Sequence, residues 1–181
     1  LNRLFREKGW IVWRDELKSE MIDLGNCRVF AIPDHQVAHV YVNDATLVEE
    51  VVAMLRKVDG ITAVYTRDEQ EDLGLAHDRS GDLVVVSDER SWFTYYWWKK
   101  DRHAPDYARC VDIHRKPGYD PVELFVNPKI WFPKFAVAWR LLKKALGFRM
   151  LMNLIPLDAT LVKGSHGCVP TSQDDHPVMI G

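Results

Sequence analysis

Long apolar runs, an excess of one charge and paired cysteines are all missing from this chain of 181 residues. No stretch approaches the roughly 18 consecutive apolar residues of a membrane-spanning helix, so no span is expected. Lysines and arginines number 24 against 26 aspartates and glutamates, a net charge of −2. Duplex nucleic acid is normally met by a strong basic excess, so it is not an expected partner. The cysteines, Cys27, Cys110 and Cys168, are odd in number, far apart and without CxxC spacing. That argues against a disulfide framework and favours a reducing, cytoplasmic compartment. Internal repeats and low-complexity linkers are lacking too.

What is present is globular: 47% hydrophobic and 28% charged residues, in a length that suits one core. Residues 1–181 are therefore read as a single segment, with 88–150 as an aromatic-rich insertion or cap within it. The first residue is Leu1, and the last five, Pro177 to Gly181, read as a strand just begun. The expectation is a piece cut from a longer protein.

Leu4 to Trp13 mixes apolar and charged residues as a surface helix running into a short strand would. Cys27 to Ile32 is strand-like, with Pro33-Asp34 expected to break it, and His39 to Val42 is a second strand. Thr46 and Glu49 stand at capping-box spacing. Apolar residues from Leu47 to Val58 recur at helical spacing, so a helix is expected over Ala45–Val58, ended by Gly60. Ile61–Tyr65 follows as a strand, and Leu83–Val86 reads as a strand buried on both faces. This order implies an α/β layer architecture.

Trp92 to Trp98 holds six aromatics in seven residues. Such a run suits a core strand or helix, a cleft wall, or a platform on which bases stack. Phe135 to Phe148 is a basic amphipathic helix, expected to lay one face on the body and the other in solvent, with membrane-surface docking as the alternative.

The polar chemistry gathers in three segments. One is Pro33 to His39, the second runs from Ala104-Pro105-Asp106 to Pro121, and the third is Gly164-Ser165-His166-Gly167. In the third, a histidine between glycines closes the apolar run Thr160-Leu161-Val162, read as a strand. Glycines let the backbone turn sharply there, so the imidazole can point into a cleft as a metal ligand. A bland loop histidine fits the same pattern. Asp34 and His35, and Asp112 and His114, are further metal candidates, since Zn²⁺ and Mn²⁺ accept mixed imidazole and carboxylate shells. Asp112-x-His114 in a strand would equally suit a buried hydrogen-bonded pair. Cys168 is a ligand or a packed thiol. Arg115 and Lys116 would suit an anionic substrate such as a phosphate ester.

At these residues the chain resembles the type I phosphodiesterase/nucleotide pyrophosphatase family of the alkaline phosphatase superfamily, specifically the C-terminal half of a bacterial member. The likeness covers nearly the whole chain. It rests on Asp34-His35-Gln36, Arg79-Ser80-Gly81-Asp82-Leu83, Trp92-Phe93-Thr94-Tyr95-Tyr96, Val111 through Phe125 and Gly164-Ser165-His166-Gly167. The resemblance implies a three-layer α/β/α sandwich of the alkaline phosphatase-like type, present as its C-terminal portion. It also implies hydrolysis of phosphate diester or pyrophosphate bonds by a Thr or Ser nucleophile with two metals, zinc or alternatively manganese. His166 matches the family's last metal-binding histidine. The nucleophile and the family's other ligands have no counterpart here, and Asp34-His35 is followed by glutamine where the family has glycine. The segment alone is thus expected to be inactive, with its parent protein the enzyme and the remainder of that domain its partner. Lys116, Tyr119 and the aromatic run would form a wall facing a small phosphate ester or nucleotide. The alternatives are a non-catalytic nucleotide- or partner-binding accessory module, or a phosphomutase, sulfatase or phosphonate hydrolase of the same superfamily.

Overall fold

The alternating run Val37-Ala38-His39-Val40-Tyr41-Val42 turns Ala38, Val40 and Val42 to one side, and all three are buried. The structure, a computed structural model, describes residues 1–176 and 178. In chain order the elements are α1 (Asn2–Glu7), β1 (Trp13–Glu16), β2 (Ser19–Ile22), β3 (Val29–Asp34), β4 (Val37–Val42), α2 (Val48–Leu55), β5 (Ile61–Tyr65), α3 (Arg67–Asp72), β6 (Leu83–Ser87) and α4 (Pro133–Ala145). β1 and β2 form a small hairpin, and the main sheet has the order β3-β4-β6-β5 with every neighbouring pair antiparallel. The architecture is mixed α/β, compatible with an alkaline phosphatase-like fold. The strand expected at 177–181 lies outside the described residues.

β6 is buried at all of its residues, as an apolar run covered on both faces should be. Phe5 of α1, Val51 and Leu55 of α2 and the inward residues of β3 and β4 meet the aromatic run in one core. That run is irregular chain rather than strand or helix, yet Tyr95, Trp97 and Trp98 are fully buried. Their rings pack edge to face, Trp97 on Trp98 at 5.2 Å and Tyr95 on Trp98 at 5.5 Å. Cutting either tryptophan to alanine should cost about 3–5 kcal/mol. Asn2, also fully buried, ties the free edge of β3 to this run. Its amide donates to the carbonyls of Ala31 and Tyr95 and accepts the Ala31 N–H at 2.8 Å.

Several local expectations are corrected. β3 does not stop before Pro33-Asp34: it runs through both, because an edge strand can spare the N–H that proline lacks. Asp44, rather than a Thr46–Glu49 box, caps the turn before α2, and the helix is shorter than expected. The capping box forms at Thr66 and Glu69, ahead of α3. Asp112 and His114 lie in a turn, so strand alternation does not set their directions. Thr160-Leu161 belongs to a short 3-10 turn capped by the Asp158 carboxylate, not to a strand. α4 buries none of its residues; one side, at Ala136, Val137 and Arg140, is only partly covered, and the apolar stripe does not face the core.

Candidate functional site

β3 and β4 pair from Val29–Val42 to Asp34–Val37, which leaves His35 and Gln36 as a two-residue hairpin loop. His35 takes the left-handed backbone, φ 59°, that such a tight turn demands. The loop is wired to three other segments. The His35 carbonyl accepts the Phe93 N–H at 2.8 Å, and the Gln36 carbonyl accepts the Ser87 N–H at 2.9 Å. The Gln36 N–H in turn donates to the His166 carbonyl at 3.1 Å.

The Gln36 side chain does as much as its backbone. Buried beneath the loop, its amide nitrogen donates to the carbonyls of Asp88 (3.0 Å) and Ser91 (3.1 Å). Its amide oxygen accepts the Cys168 N–H at 3.4 Å. The glutamine thus clamps the Ser165–Cys168 turn against the end of β6. Gly167 has φ 111°, and a Cβ there would press within 3.2 Å of the Val37 side chain, so both conformation and space call for glycine.

This clamp sets two imidazoles face to face. The His35 and His166 rings stack with centroids 4.0 Å apart and planes inclined by 29°. His35 Nδ1 shares a hydrogen bond with the Ser165 hydroxyl at 3.1 Å, and its Nε2 lies 3.9 Å from the Asp34 carboxylate. The Tyr119 ring stands 6.0 Å from His35, held there by its N–H, which donates to the Pro33 carbonyl. Burial, followed by the neighbouring His166, pushes the His35 pKa below its ordinary value, with Asp34 opposing. His35 is accordingly neutral near pH 7, the form that can accept a hydrogen bond or bind a metal.

Beside the turn lies an open cavity of about 520 Å³, over the β5–β6 face. Its lining includes Thr62, Ser87, Cys168 and Thr171 together with the charged Asp88, Glu89 and Arg90. Its volume is that of a small-molecule site.

The remaining candidates stand apart from the histidine pair. Asp112 pairs with Arg115 at 3.7 Å, and its N–H donates to the Glu123 carboxylate, while His114 is exposed. The Lys116 ammonium is sealed from solvent between Asp120, at 3.4 Å, and Glu123. Burial raises the Asp120 pKa despite that neighbouring cation. Among the described residues no three of His, Cys, Asp and Glu converge as a metal shell. Stacked rings do not aim their nitrogens at one point, so the pair does not fit a complete two-metal centre. His166, exposed at the end of its turn, fits as one ligand of a shell completed by other residues.

The family model for type I phosphodiesterase / nucleotide pyrophosphatase matches residues 1–120. The chain belongs to that family. The matched span holds the whole sheet, the Asp34–Gln36 loop, the aromatic run and Tyr119, and it ends before the His166 turn. Neither the curated proteins nor the solved structures yield a match.

Gln36 and Ser165, whose hydrogen bonds hold the two histidines, are not among the candidates read from the sequence. In the sequence Gln36 stands out as part of the Asp34-His35-Gln36 string that carries the resemblance and as the departure from glycine after Asp34-His35. Nothing local marks it as the buried clamp between segments so far apart in the chain.

Proposed function

We propose that this chain is the C-terminal portion of a metal-dependent phosphodiesterase or nucleotide pyrophosphatase within a three-layer α/β/α domain. It would cleave a phosphate diester or pyrophosphate bond in a small phosphate ester or nucleotide. The observation that carries the reading is the stacking of His166 on His35 beside an open cleft, in a chain of this family.

In this reading His166 supplies one ligand to a divalent-metal centre, zinc or manganese, whose other ligands and nucleophile come from outside the chain. The metals, when bound, supply charge to the phosphoryl oxygens and activate the attacking group. His35 holds the His166 ring by stacking, and Gln36 fixes the turn that presents it. Such supporting residues orient ligands and tune their affinity. The cleft lined by Arg90 would receive the ester, with the guanidinium set toward its phosphate. Tyr119, half exposed next to His35, is the second substrate-facing candidate.

The burial of Tyr95, Trp97 and Trp98 removes most of the surface on which bases could stack, so the accessory-module reading loses its main support. Membership of the phosphodiesterase family weighs against phosphomutase, sulfatase and phosphonate hydrolase activities.

The test is hydrolysis of bis(p-nitrophenyl) phosphate with Zn²⁺ or Mn²⁺ by the full-length protein, its Arg90→Ala variant and the isolated chain. Metal-dependent turnover in the first, a raised KM in the second and silence in the third would support the reading. An active isolated chain would mean that the residues here build the centre themselves, with Asp34 and His35 the leading additions to His166.

A further inference from the structure

From Leu124 to Leu157 the chain carries no acidic residue and six basic ones, Lys129, Lys134, Arg140, Lys143, Lys144 and Arg149. In a protein of net charge −2 this is a strong local imbalance. α4 forms the centre of the stretch. Arg140 moors it, donating to the Asn153 side chain at 2.8 Å and to the Asn153 carbonyl. Only Ala136, Val137 and Arg140 on the helix are partly covered, and they share one side of it.

The opposite side is apolar and bare. Phe135, Trp139, Leu142 and Leu146 follow helical spacing, and their exposures are 73%, 51%, 48% and 65%. Trp131 and Phe132, just before the helix, are exposed at 87% and 71%. Lys134 and Lys143 flank this stripe, Lys143 with its ammonium 5.7 Å from the Trp139 ring. Among the described residues Lys134, Lys143 and Lys144 form no ion pair. A core-facing helix would turn such a stripe inward; here it points away from the body.

We propose that α4 and the Trp131-Phe132 step before it form a docking surface for an anionic lipid bilayer. Aromatics and leucines enter the headgroup boundary, and the flanking lysines meet lipid phosphates with their stems along the apolar zone. A second copy is the poorer occupant, because two such faces would bring like cations together without a single carboxylate between them. Nucleic acid is poorer too, since its phosphates would meet phenylalanine and leucine at the centre of the face. The surface is peripheral: no helix among the described residues is long and apolar enough to cross a membrane.

The experiment is flotation of the intact protein with phosphatidylcholine vesicles, with and without phosphatidylglycerol, at low and high salt. Two variants accompany it, Trp139→Ser/Leu142→Ser and Lys134→Glu/Lys143→Glu/Lys144→Glu. Every substituted position is exposed, and circular dichroism checks that the fold is kept. The expected result is binding to the anionic vesicles that salt weakens and that each variant weakens by roughly tenfold or more. Absence of binding to anionic vesicles, or equal binding by the wild type and both variants, would overturn the proposal. So would a dimer or a DNA complex that the Trp139→Ser/Leu142→Ser variant abolishes, if the wild type does not float with lipid.

Discussion

The rings of His35 and His166, from opposite ends of the chain, lie face to face with centroids 4.0 Å apart. One sits at the tip of the β3–β4 hairpin and the other in a glycine-flanked turn, joined by the hydrogen bond from the Gln36 N–H to the His166 carbonyl. In the proposed reading the stack makes His35 a support for the His166 ring rather than a second ligand on the same metal. His35→Ala should therefore lower the metal affinity of the full-length protein by about 10–100-fold without abolishing its activity at saturating metal. Titration with Zn²⁺ while following hydrolysis measures this. An unchanged metal requirement would show that the stack has no such role.

Gln36 makes three side-chain hydrogen bonds from a buried position. Gln36→Leu should destabilise the protein by about 1–3 kcal/mol, because the Cys168 N–H loses its acceptor and the Asp88 and Ser91 carbonyls are left to share the Ser87 hydroxyl as their single side-chain donor. Urea unfolding measures the loss. A change below ~1 kcal/mol would mean that the His166 turn is held by other contacts.

Lys116 separates a structural from a substrate role. With its ammonium sealed between Asp120 and Glu123, Lys116→Met leaves two buried carboxylates without their cation, at a cost of about 3–5 kcal/mol. The expected outcome is a large drop in unfolding free energy. A raised KM with unchanged stability would instead place Lys116 at the substrate.

His39 predicts how stability depends on pH. Its Nδ1 accepts the Gly81 N–H at 3.0 Å, which requires a neutral ring, and burial holds its pKa below the ordinary 6.5. The unfolded chain therefore takes up the proton first as pH falls. Stability is full above pH 6.5 and declines below it, until the folded pKa is passed and the slope ends. His35, shifted in the same direction, adds to the slope. His39→Gln keeps an acceptor but cannot titrate, so urea unfolding from pH 7.5 to 5 should show a shallower decline for it. An equal slope in the two proteins would exclude His39 as a source.

Much of the sheet was legible because its strands carry their signals locally. β5 was expected at the residues where it stands, and β6 was recognised from a run of apolar residues covered on both faces. Pro33 misled because whether a proline ends a strand depends on whether the strand is an edge, a property of the whole sheet. α4 misled because helical periodicity names an apolar stripe without saying what covers it. The family was legible from residue strings and is shown over residues 1–120. Contacts between segments far apart in the chain were not, and the candidate site is made of them: the clamp by Gln36, the stack of His35 on His166, and the placement of Tyr119 against Pro33.

The most direct measurement is bound Zn²⁺ and bis(p-nitrophenyl) phosphate turnover in the full-length protein and its His166→Ala variant, with folding checked by circular dichroism. The account predicts a folded variant that retains less metal and turns over substrate slower by orders of magnitude. A folded His166→Ala protein with wild-type metal content and rate would contradict it.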